Sequence, residues 1–249
     1  HGQGNSIAQR TVLPELSMPG IQHIPVVVAA GKGIRMGANT RKQFLMLQDR
    51  PVLIRTLEAF DRHPAMDRII VVVPESDMAV CRTQMIRPRK FVCPIHLTAG
   101  GKNRQQSVRN GICQALALAD DPKQSLVLIH DGVRPFVSAT LLDRLLHTAV
   151  QTGACIPVLP VTDTLKQVDE QHRIIATVDR TRIFRAQTPQ VFRLDRISFA
   201  LDHAEATGFA GTDDASVMAH AGFDVNTIPG DPANIKLTTP HDLALARHF

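Results

Sequence analysis

The chain has 249 residues, of which 44% are hydrophobic, and this is enough apolar sequence for the core of a globular α/β protein. A formal net charge of +5, from 28 basic and 23 acidic residues spread along the chain, suits a small anionic substrate. Tyrosine and tryptophan are absent and the phenylalanines are scattered, so the sequence lacks the aromatic platforms that stack single-stranded nucleic acids. We therefore expect no nucleic-acid partner.

The N-terminal segment, residues 1–23, is polar and interrupted by proline and glycine, and it lacks the apolar core of a signal peptide. We interpret it as a tag remnant or a flexible extension. The cysteines are far apart with no C-x-x-C pair, which predicts buried apolar thiols in a reducing compartment and neither a disulfide framework nor a zinc site. A cytoplasmic protein without membrane attachment is expected. The cysteines are Cys81, Cys93, Cys113 and Cys155.

The first predicted element is a short strand that leads into a basic glycine loop. The strand begins at Val26 as an apolar run rich in β-branched side chains, which is too short to span a membrane. Glycines let backbone N–H groups approach a ligand closely, and neighbouring cations offset the charge of a polyphosphate. The loop matches neither G-x-x-x-x-G-K-[ST] nor G-x-G-x-x-G, so a nucleotide-phosphate site and an ordinary strand–helix turn both stay open. Its glycines are Gly31, Gly33 and Gly37, and its cations are Lys32, Arg35, Arg41 and Lys42.

Strands and helices then alternate up to residue 158. Apolar periodicity predicts helices over residues 51–62 and 75–87, and Asn103 and Ser138 are predicted to cap two further helices. This alternation predicts a Rossmann-like α/β fold, with a mostly parallel sheet and helices on both of its faces. The predicted strands cover residues 68–73, 94–98, 125–129 and 154–158.

The pattern changes after residue 160. Two short strands, 164–168 and 174–178, flank a polar turn, and a hairpin that leaves a parallel sheet is often a dimerisation arm or a lid. We predict a single domain over residues 24–249 that carries this arm at about residues 160–182. The remaining predicted elements are helices over 195–206 and 213–220, strands over 224–228 and 234–238, and a closing helix from residue 240.

Ligands of open α/β sheets bind beyond the carboxyl ends of the strands. Residues 100–107 offer backbone donors at a helix N-terminus there, although an ordinary capped turn has the same composition. Asp131 follows an apolar strand and is either a ligand of Mg²⁺ or a turn aspartate paired with Arg134. Asp131 and its neighbour His130 do not form a hydrolase site with Ser107, because the chain lacks a G-x-S-x-G elbow.

A series of short motifs follows along the chain. The motifs are Ala29-Ala30-Gly31-x-Gly33-x-Arg35-Met36, Lys42-Gln43-Phe44, Gly101-x-x-Arg104-Gln105-x-Ser107-Val108, His130-Asp131-x-x-Arg134-Pro135, Asp163-Thr164-x-Lys166, Thr177-Val178-Asp179-Arg180, Gln187-Thr188-Pro189-Gln190, Thr212-Asp213-x-Ala215-Ser216 and Asn234-Ile235-Lys236. Many sugar nucleotidyltransferases share the opening glycine motif, but the ordered series is specific. Taken together, the motifs resemble the 2-C-methyl-D-erythritol 4-phosphate cytidylyltransferase family of the non-mevalonate isoprenoid pathway, over nearly the whole chain.

This resemblance implies transfer of CMP from CTP to the 4-phosphate of methylerythritol, with release of pyrophosphate. The positions that match the family's catalytic cations are Arg35, Lys42 and Lys236. Those that match its nucleotide-binding residues are Ala29, Ala30, Gly31, Gly33, Gly101, Arg104 and Ser107. Those implied to face the methylerythritol phosphate are Asp131, Arg134, Thr164, Arg180, Thr188 and Thr212. The resemblance also implies that Asp131 faces Mg²⁺ or another divalent cation.

The resemblance further implies a homodimer, because Thr164 and Arg180 lie on the predicted arm and in this family can reach the neighbouring subunit's site. The chain departs from the family pattern at Val28, at Gln106 and at Gly132-Val133, and none of these departures removes a charged catalytic group. Two alternatives stay open. The first is a cytidylyltransferase of similar fold that acts on another polyol phosphate, such as ribitol 5-phosphate, since such an enzyme would share the nucleotide-binding motifs. A non-catalytic nucleotide-binding regulator should have lost one of the catalytic cations, and all three are present.

Overall fold

A computed structural model describes residues 20–31 and 44–248 of the chain. Within these residues, strands and helices alternate as the apolar pattern predicts. The strands are β1 (Gln22–Val28), β2 (Met46–Leu47), β3 (Arg50–Pro51), β4 (Ile69–Val73), β5 (Ile95–Ala99), β6 (Ser125–Asp131), β7 (Ala154–Pro160), β8 (Leu165–Val168), β9 (Ile174–Val178), β10 (Phe184–Ala186), β11 (Gln190–Arg193) and β12 (Asn226–Pro229). The helices are α1 (Val52–Asp61), α2 (Met78–Val80), which continues into a π-helical turn (Cys81–Ile86), α3 (Arg104–Leu118), α4 (Ala139–Thr152), α5 (Leu194–Thr207), α6 (Asp214–His220) and α7 (Pro240–Ala246).

The central sheet is mostly parallel. Its strand order is β10-β7-β11-β6-β1-β4-β5, with β12 paired to β7. Strands β4 and β6 flank β1 in parallel and β5 continues in parallel from β4, whereas β11 runs antiparallel between β6 and β7. The carboxyl ends of β1, β4, β5, β6 and β7 therefore lie at one edge of the sheet, where ligands of such sheets bind.

Helices cover both faces of the sheet, so its inner strands are apolar throughout. All five residues of β4 are fully buried because successive side chains point to opposite faces and each face packs against helices. One large core cluster joins the sheet to α1 and α4, and a second joins it to α3, α5 and α6. A small third cluster packs Leu237 and Ala246 against Leu47 and Val52. Packing on both faces fixes the strand ends, and with them the residues at the ligand-binding edge.

Two local sequence signals lie where they were predicted. The Asn103 side chain accepts a hydrogen bond from the Gln106 amide at the start of α3, and Ser138 caps α4 in the same way through the Leu141 amide. The predicted arm is also confirmed as an antiparallel hairpin of β8 and β9, separate from the main sheet.

Several predictions about the fold were wrong in detail. The predicted N-terminal extension, residues 1–23, is too long, because β1 begins at Gln22. The fourth strand does not end at residue 129 but continues to Asp131, since β1 pairs with it along its whole length. Strands β10 and β11 were not predicted, because each is short and β11 is stabilised by its pairing with β6 and β7 rather than by a local pattern. The strand expected over 234–238 is absent from the described chain, and Leu237 instead donates one backbone hydrogen bond to Val133.

The cysteine prediction is confirmed for three of the four thiols. Cys81, Cys93 and Cys155 are buried, and none of the four forms a disulfide, but Cys113 is exposed because it lies on the outer face of α3. Among the described residues, no helix has the length and apolar character needed to cross a membrane.

Candidate active site

Asp131 is the charged centre of the ligand-binding edge. It is the last residue of β6, its exposure is only 7%, and three cations surround its carboxylate. The Lys236 Nζ lies 2.9 Å from Oδ2, the Arg134 Nε lies 3.5 Å from Oδ2, and the Arg104 Nε lies 3.5 Å from Oδ1. The prediction of an Asp131–Arg134 pair is therefore confirmed but incomplete, since two more cations converge on the same carboxylate.

These cations decide the charge state of the site. Burial by itself would raise the pKa of Asp131, but Arg104, Lys236 and Arg134 together hold this pKa well below its ordinary value. The carboxylate is therefore ionised at neutral pH. Three cations around one carboxylate leave an excess of positive charge at the carboxyl edge of the sheet, and this excess favours an anionic ligand.

Arg104 is fixed from a second side by Asp214, which begins α6. Its Nη1 and Nη2 donate to the two carboxylate oxygens of Asp214 at 3.0 and 2.7 Å, a bidentate pair. Burial opposes the charge on Arg104, but the Asp214 carboxylate more than offsets this effect and raises the pKa of the guanidinium. Asp214 was not predicted as a site residue, since 110 positions separate it from Arg104 and no local pattern connects them.

The turn after β5 packs its backbone tightly against the end of β1. A Cβ at Gly100 would clash with the Ala30 Cβ, and in the neighbouring turn after β6 a Cβ at Gly132 would lie 2.9 Å from the Ala29 Cβ. The Ser107 hydroxyl accepts a hydrogen bond from the Gly101 amide at 3.0 Å and donates one to the Asn103 carbonyl at 2.8 Å. The structure thus brings together the predicted nucleotide-binding residues at 29, 30, 101, 104 and 107, and all of them except Arg104 have small side chains that leave the backbone accessible.

Lys236 reaches Asp131 from a segment without regular secondary structure. Hydrogen bonds to other parts of the chain hold this segment, and Asn234, with an exposure of 0%, is their centre. Its side-chain Nδ2 donates to the Thr188 carbonyl at 2.7 Å, and its own carbonyl accepts from the Arg134 Nη1 at 2.7 Å. Gln187 also donates to the Asn234 carbonyl, at 3.2 Å. The sequence motif around Lys236 therefore marks a buried anchor as well as a cation.

His130 and Thr188 lie directly behind Asp131. The Thr188 Oγ1 accepts a hydrogen bond from the Asp131 amide at 3.1 Å and lies 3.0 Å from the His130 Nδ1, while the His130 Nε2 lies 3.0 Å from the Arg134 carbonyl. Burial lowers the pKa of His130 to about 4, so the ring is neutral at physiological pH. The rejection of a hydrolase site is consistent with this arrangement, because His130 contacts neither Ser107 nor a carboxylate through its ring nitrogens.

Other predicted site residues are not brought into this cluster. Thr164, Arg180 and Thr212 are exposed, and among the described residues no hydrogen bond or ion pair joins them to Asp131 or Lys236. The Arg180 guanidinium instead donates to the Thr162 carbonyl across the base of the arm. Gly31 is the last described residue before the basic loop. Gly33, Arg35 and Lys42 lie outside the described residues.

A divalent cation fits this edge only together with a nucleotide. The described part of the chain contains no group of three or more His, Cys, Asp or Glu side chains placed to hold a metal. Mg²⁺ commonly takes one or two protein carboxylates and completes its shell with phosphate and water oxygens. The ionised Asp131 at the carboxyl edge matches that requirement. The described residues therefore fit a Mg²⁺ ion that is bound by Asp131 together with phosphate oxygens, and they do not form a metal site from protein ligands alone.

Curated relatives match the chain over most of its length. The protein from Syntrophotalea carbinolica described as 2-C-methyl-D-erythritol 4-phosphate cytidylyltransferase is 45% identical over 224 residues, which are 90% of this chain and 94% of the relative. The protein of the same description from Bacillus licheniformis is 44% identical, over 89% of this chain and 92% of its own.

Solved structures show the same fold. The 2-C-methyl-D-erythritol 4-phosphate cytidylyltransferase from Thermus thermophilus has a TM-score of 0.71 at 32% identity, and covers 91% of this chain and 98% of its own. The 4-diphosphocytidyl-2C-methyl-D-erythritol synthase from Anaerococcus prevotii has a TM-score of 0.77 at 30% identity, with 92% and 96% covered. The family model for 2-C-methyl-D-erythritol 4-phosphate cytidylyltransferase matches residues 23–249. This chain, with its cationic cluster around Asp131, belongs to that family.

Proposed function

We propose that this enzyme transfers CMP from CTP to 2-C-methyl-D-erythritol 4-phosphate at the Asp131 cluster. The product is 4-diphosphocytidyl-2-C-methyl-D-erythritol, and pyrophosphate is released. The observation that carries this proposal is the convergence of Lys236, Arg134 and Arg104 on one buried carboxylate, at the strand ends where α/β sheets bind ligands. Membership of the family supplies the identity of the two substrates.

The reaction needs positioning and positive charge more than covalent chemistry. A phosphate oxygen of the acceptor attacks the α-phosphorus of CTP and forms the new P–O bond, while the bond from the α-phosphorus to the bridging oxygen of pyrophosphate breaks. The electron pair leaves with pyrophosphate. Because both reactants are anions, fixed cations must offset their repulsion and the charge that develops on the leaving group.

Lys236 is the cation of the described cluster best suited to act on the reacting phosphates. Its side chain is 43% exposed, whereas the buried Arg134 and the Asp214-paired Arg104 are each held by other groups. An ammonium on a flexible stem can exchange the Asp131 carboxylate for a phosphate oxygen when substrate arrives. We assign Arg35 and Lys42, from the basic glycine loop, to the same α-phosphate and pyrophosphate.

The remaining residues are assigned to one of two halves of the site, the half that binds the nucleotide or the half that binds the acceptor. Small residues around the turn after β5 would hold cytosine and ribose, with Ser107 fixing the turn. Arg134 would face the acceptor phosphate together with Thr212. When bound, Mg²⁺ or another divalent cation would neutralise phosphate charge, and Asp131 is the carboxylate that would hold it. The nucleotide-side residues in this assignment are Ala29, Ala30, Gly31, Gly33, Gly101, Arg104 and Ser107.

We also propose that two copies of the chain pair through the β8–β9 arm, and that Thr164 and Arg180 act on the acceptor in the partner's site. The arm leaves the sheet from the carboxyl end of β7, at the edge that bears Asp131. Large apolar side chains on and beside the arm are exposed in the single chain, including Ile174 at 64% and Phe184 at 51%. Exposed apolar surface of this kind marks an interface.

A pyrophosphate-release assay tests the proposed reaction. CTP, ATP, GTP and UTP are each supplied with methylerythritol phosphate or with ribitol 5-phosphate. We expect turnover with CTP and methylerythritol phosphate to exceed every other combination. No turnover with that pair would overturn the proposal, and faster turnover with ribitol 5-phosphate would instead establish the enzyme as a cytidylyltransferase for that polyol phosphate.

A further inference from the structure

Two segments that are far apart in the sequence meet at the Asp131–Lys236 ion pair. Asp131 ends a buried strand, but Lys236 lies in an irregular segment whose backbone makes few regular hydrogen bonds. An irregular segment keeps a fixed position only if other groups satisfy its backbone. Here Gln187 exchanges two hydrogen bonds with Asp231, at 2.9 and 3.0 Å, and Asn234 is bonded through its side chain and its carbonyl.

A second set of hydrogen bonds fixes Asp131 and has only one consistent direction. The Arg134 carbonyl can only accept, so the His130 Nε2 carries the proton and donates to it. In the neutral ring Nδ1 is then an acceptor, and the Thr188 hydroxyl donates to it. The Thr188 oxygen in turn accepts from the Asp131 amide. Thr188 therefore uses its only donor and one acceptor position within the protein.

We infer that His130, Thr188 and Asn234 form a buried frame whose members are positioning residues for the transfer, and that this frame sets the placement of Asp131 and Lys236. The inference rests on the proposed function, because it takes these two side chains to act on the substrates. Thr188 connects the two halves: its hydroxyl holds the Asp131 amide and its carbonyl accepts from Asn234 at 2.7 Å. Displacement of a reacting group by about 1 Å can lower turnover by about a hundredfold.

The frame gives Thr188 a role different from the one that the family resemblance implies. A substrate-binding threonine presents its hydroxyl to the ligand, and its loss raises the KM for that ligand. A positioning threonine acts through Asp131, and its loss lowers kcat while both KM values stay near those of the wild type. The two roles therefore predict different kinetic results for the same variant.

The test compares Thr188→Val, which keeps the side-chain shape and removes the hydroxyl, with Thr188→Ser, which keeps the hydroxyl. In Thr188→Val we expect kcat to fall by about ten- to a hundredfold, with the KM values for CTP and methylerythritol phosphate within about threefold of the wild type. Thr188→Ser should recover most of the lost kcat. Thr152→Val is the matched control, since the Thr152 hydroxyl bonds only to backbone at the end of α4.

Two results for Thr188→Val would contradict the inference. A normal kcat in Thr188→Val, or a large rise only in the KM for methylerythritol phosphate, would overturn the inference. If Thr188→Val does not fold, His130→Gln replaces it, because the glutamine amide can donate to the Arg134 carbonyl as the His130 Nε2 does, while its carbonyl oxygen does not occupy the position of the Nδ1 that accepts from Thr188. The same loss of kcat is expected in His130→Gln, and normal kcat would again overturn the inference. A wild-type enzyme that does not turn over CTP with methylerythritol phosphate would refute the proposed function, independently of these variants.

Discussion

The Asp131 edge and the β8–β9 arm show how differently two parts of one site can be held. At the edge, buried hydrogen bonds within the chain hold residues such as Asn234 and His130 in place. On the arm, Thr164 and Arg180 are exposed and the neighbouring apolar side chains have little to pack against. The described part of the edge is therefore held by contacts within one chain, whereas the acceptor half of the site depends on a second copy under our proposal.

Acidification should weaken the edge through His130. Its folded pKa of about 4 is below its ordinary value of 6.5, so as the pH falls the unfolded chain takes up the proton first. The stability that this group contributes is complete above pH 6.5 and is lost as the pH falls toward 4, to a total of about 3 kcal/mol. Urea unfolding between pH 7 and 4.5 measures the free energy of unfolding.

The comparison for this prediction is His130→Gln, which should lose stability less steeply over the same pH range. His172→Asn, in the exposed turn of the arm, should retain the wild-type pH dependence. Equal slopes in His130→Gln and the wild type would contradict the prediction. The groups that face His130 are Phe60, Asp131, Arg134 and Thr188, and both proteins keep them.

Removal of the Lys236 ammonium should lower turnover by about a hundredfold, the scale for loss of one charge-stabilising donor. Lys236→Ala is measured by pyrophosphate release, and Lys42→Ala should give an effect of the same size. Lys123→Ala is the control, because Lys123 is an exposed cation distant from the carboxyl edge. Near-normal turnover in both Lys236→Ala and Lys42→Ala would mean that the catalytic cations are misassigned.

A charge on the apolar surface of the arm should separate the two copies. Phe184→Asp is expected to shift the protein from dimer to monomer in light scattering and to lower turnover by about tenfold or more, as for an interface anchor. Val92→Asp is the matched control, since Val92 is an exposed apolar residue in the loop before β5. A monomeric wild type, or a fully active monomeric variant, would show that the acceptor half does not need the partner.

The smallest effect is expected from polar contacts on the arm itself. The Lys166 Nζ donates to the Thr177 Oγ1 across the two strands at 2.6 Å, but both side chains are exposed. Lys166→Ala should therefore change the free energy of unfolding by no more than about 0.5 kcal/mol. A much larger loss in thermal or urea unfolding would mean that the arm, like the edge, is stabilised within its own chain.

The sequence alone predicted those features that depend only on neighbouring residues, such as the helix caps and the hairpin. Asn103 and Ser138 bond to amides three residues ahead, and the alternation of strands 165–168 and 174–178 with a polar turn needs no distant partner. Lys236 and Asp131 were identified through motif resemblance, and the structure adds that they form an ion pair. Arg35 and Lys42 remain predictions, since they lie outside the described residues.

The features that were missed depend on tertiary contacts. Strand β11 gains its place from two antiparallel neighbours, one of which precedes it by about sixty residues in the chain. Asp214 and Asn234 are buried polar residues that are paired across the fold, Asp214 with Arg104 and the Asn234 Nδ2 with the Thr188 carbonyl. No periodicity in the sequence encodes these pairs, so only the assembled fold reveals them.

Lys236 follows every strand of the sheet in the order of synthesis, and only α7 comes after it in the described chain. The two larger core clusters draw on elements that precede it, and only a small third cluster includes Leu237 and Ala246. The sheet can therefore assemble on a nascent chain before Lys236 has been made. Translation products that end before residue 236 would thus contain most of the core but lack the Lys236–Asp131 ion pair. Completion of the Asp131 cluster is therefore an event separate from formation of the two larger core clusters.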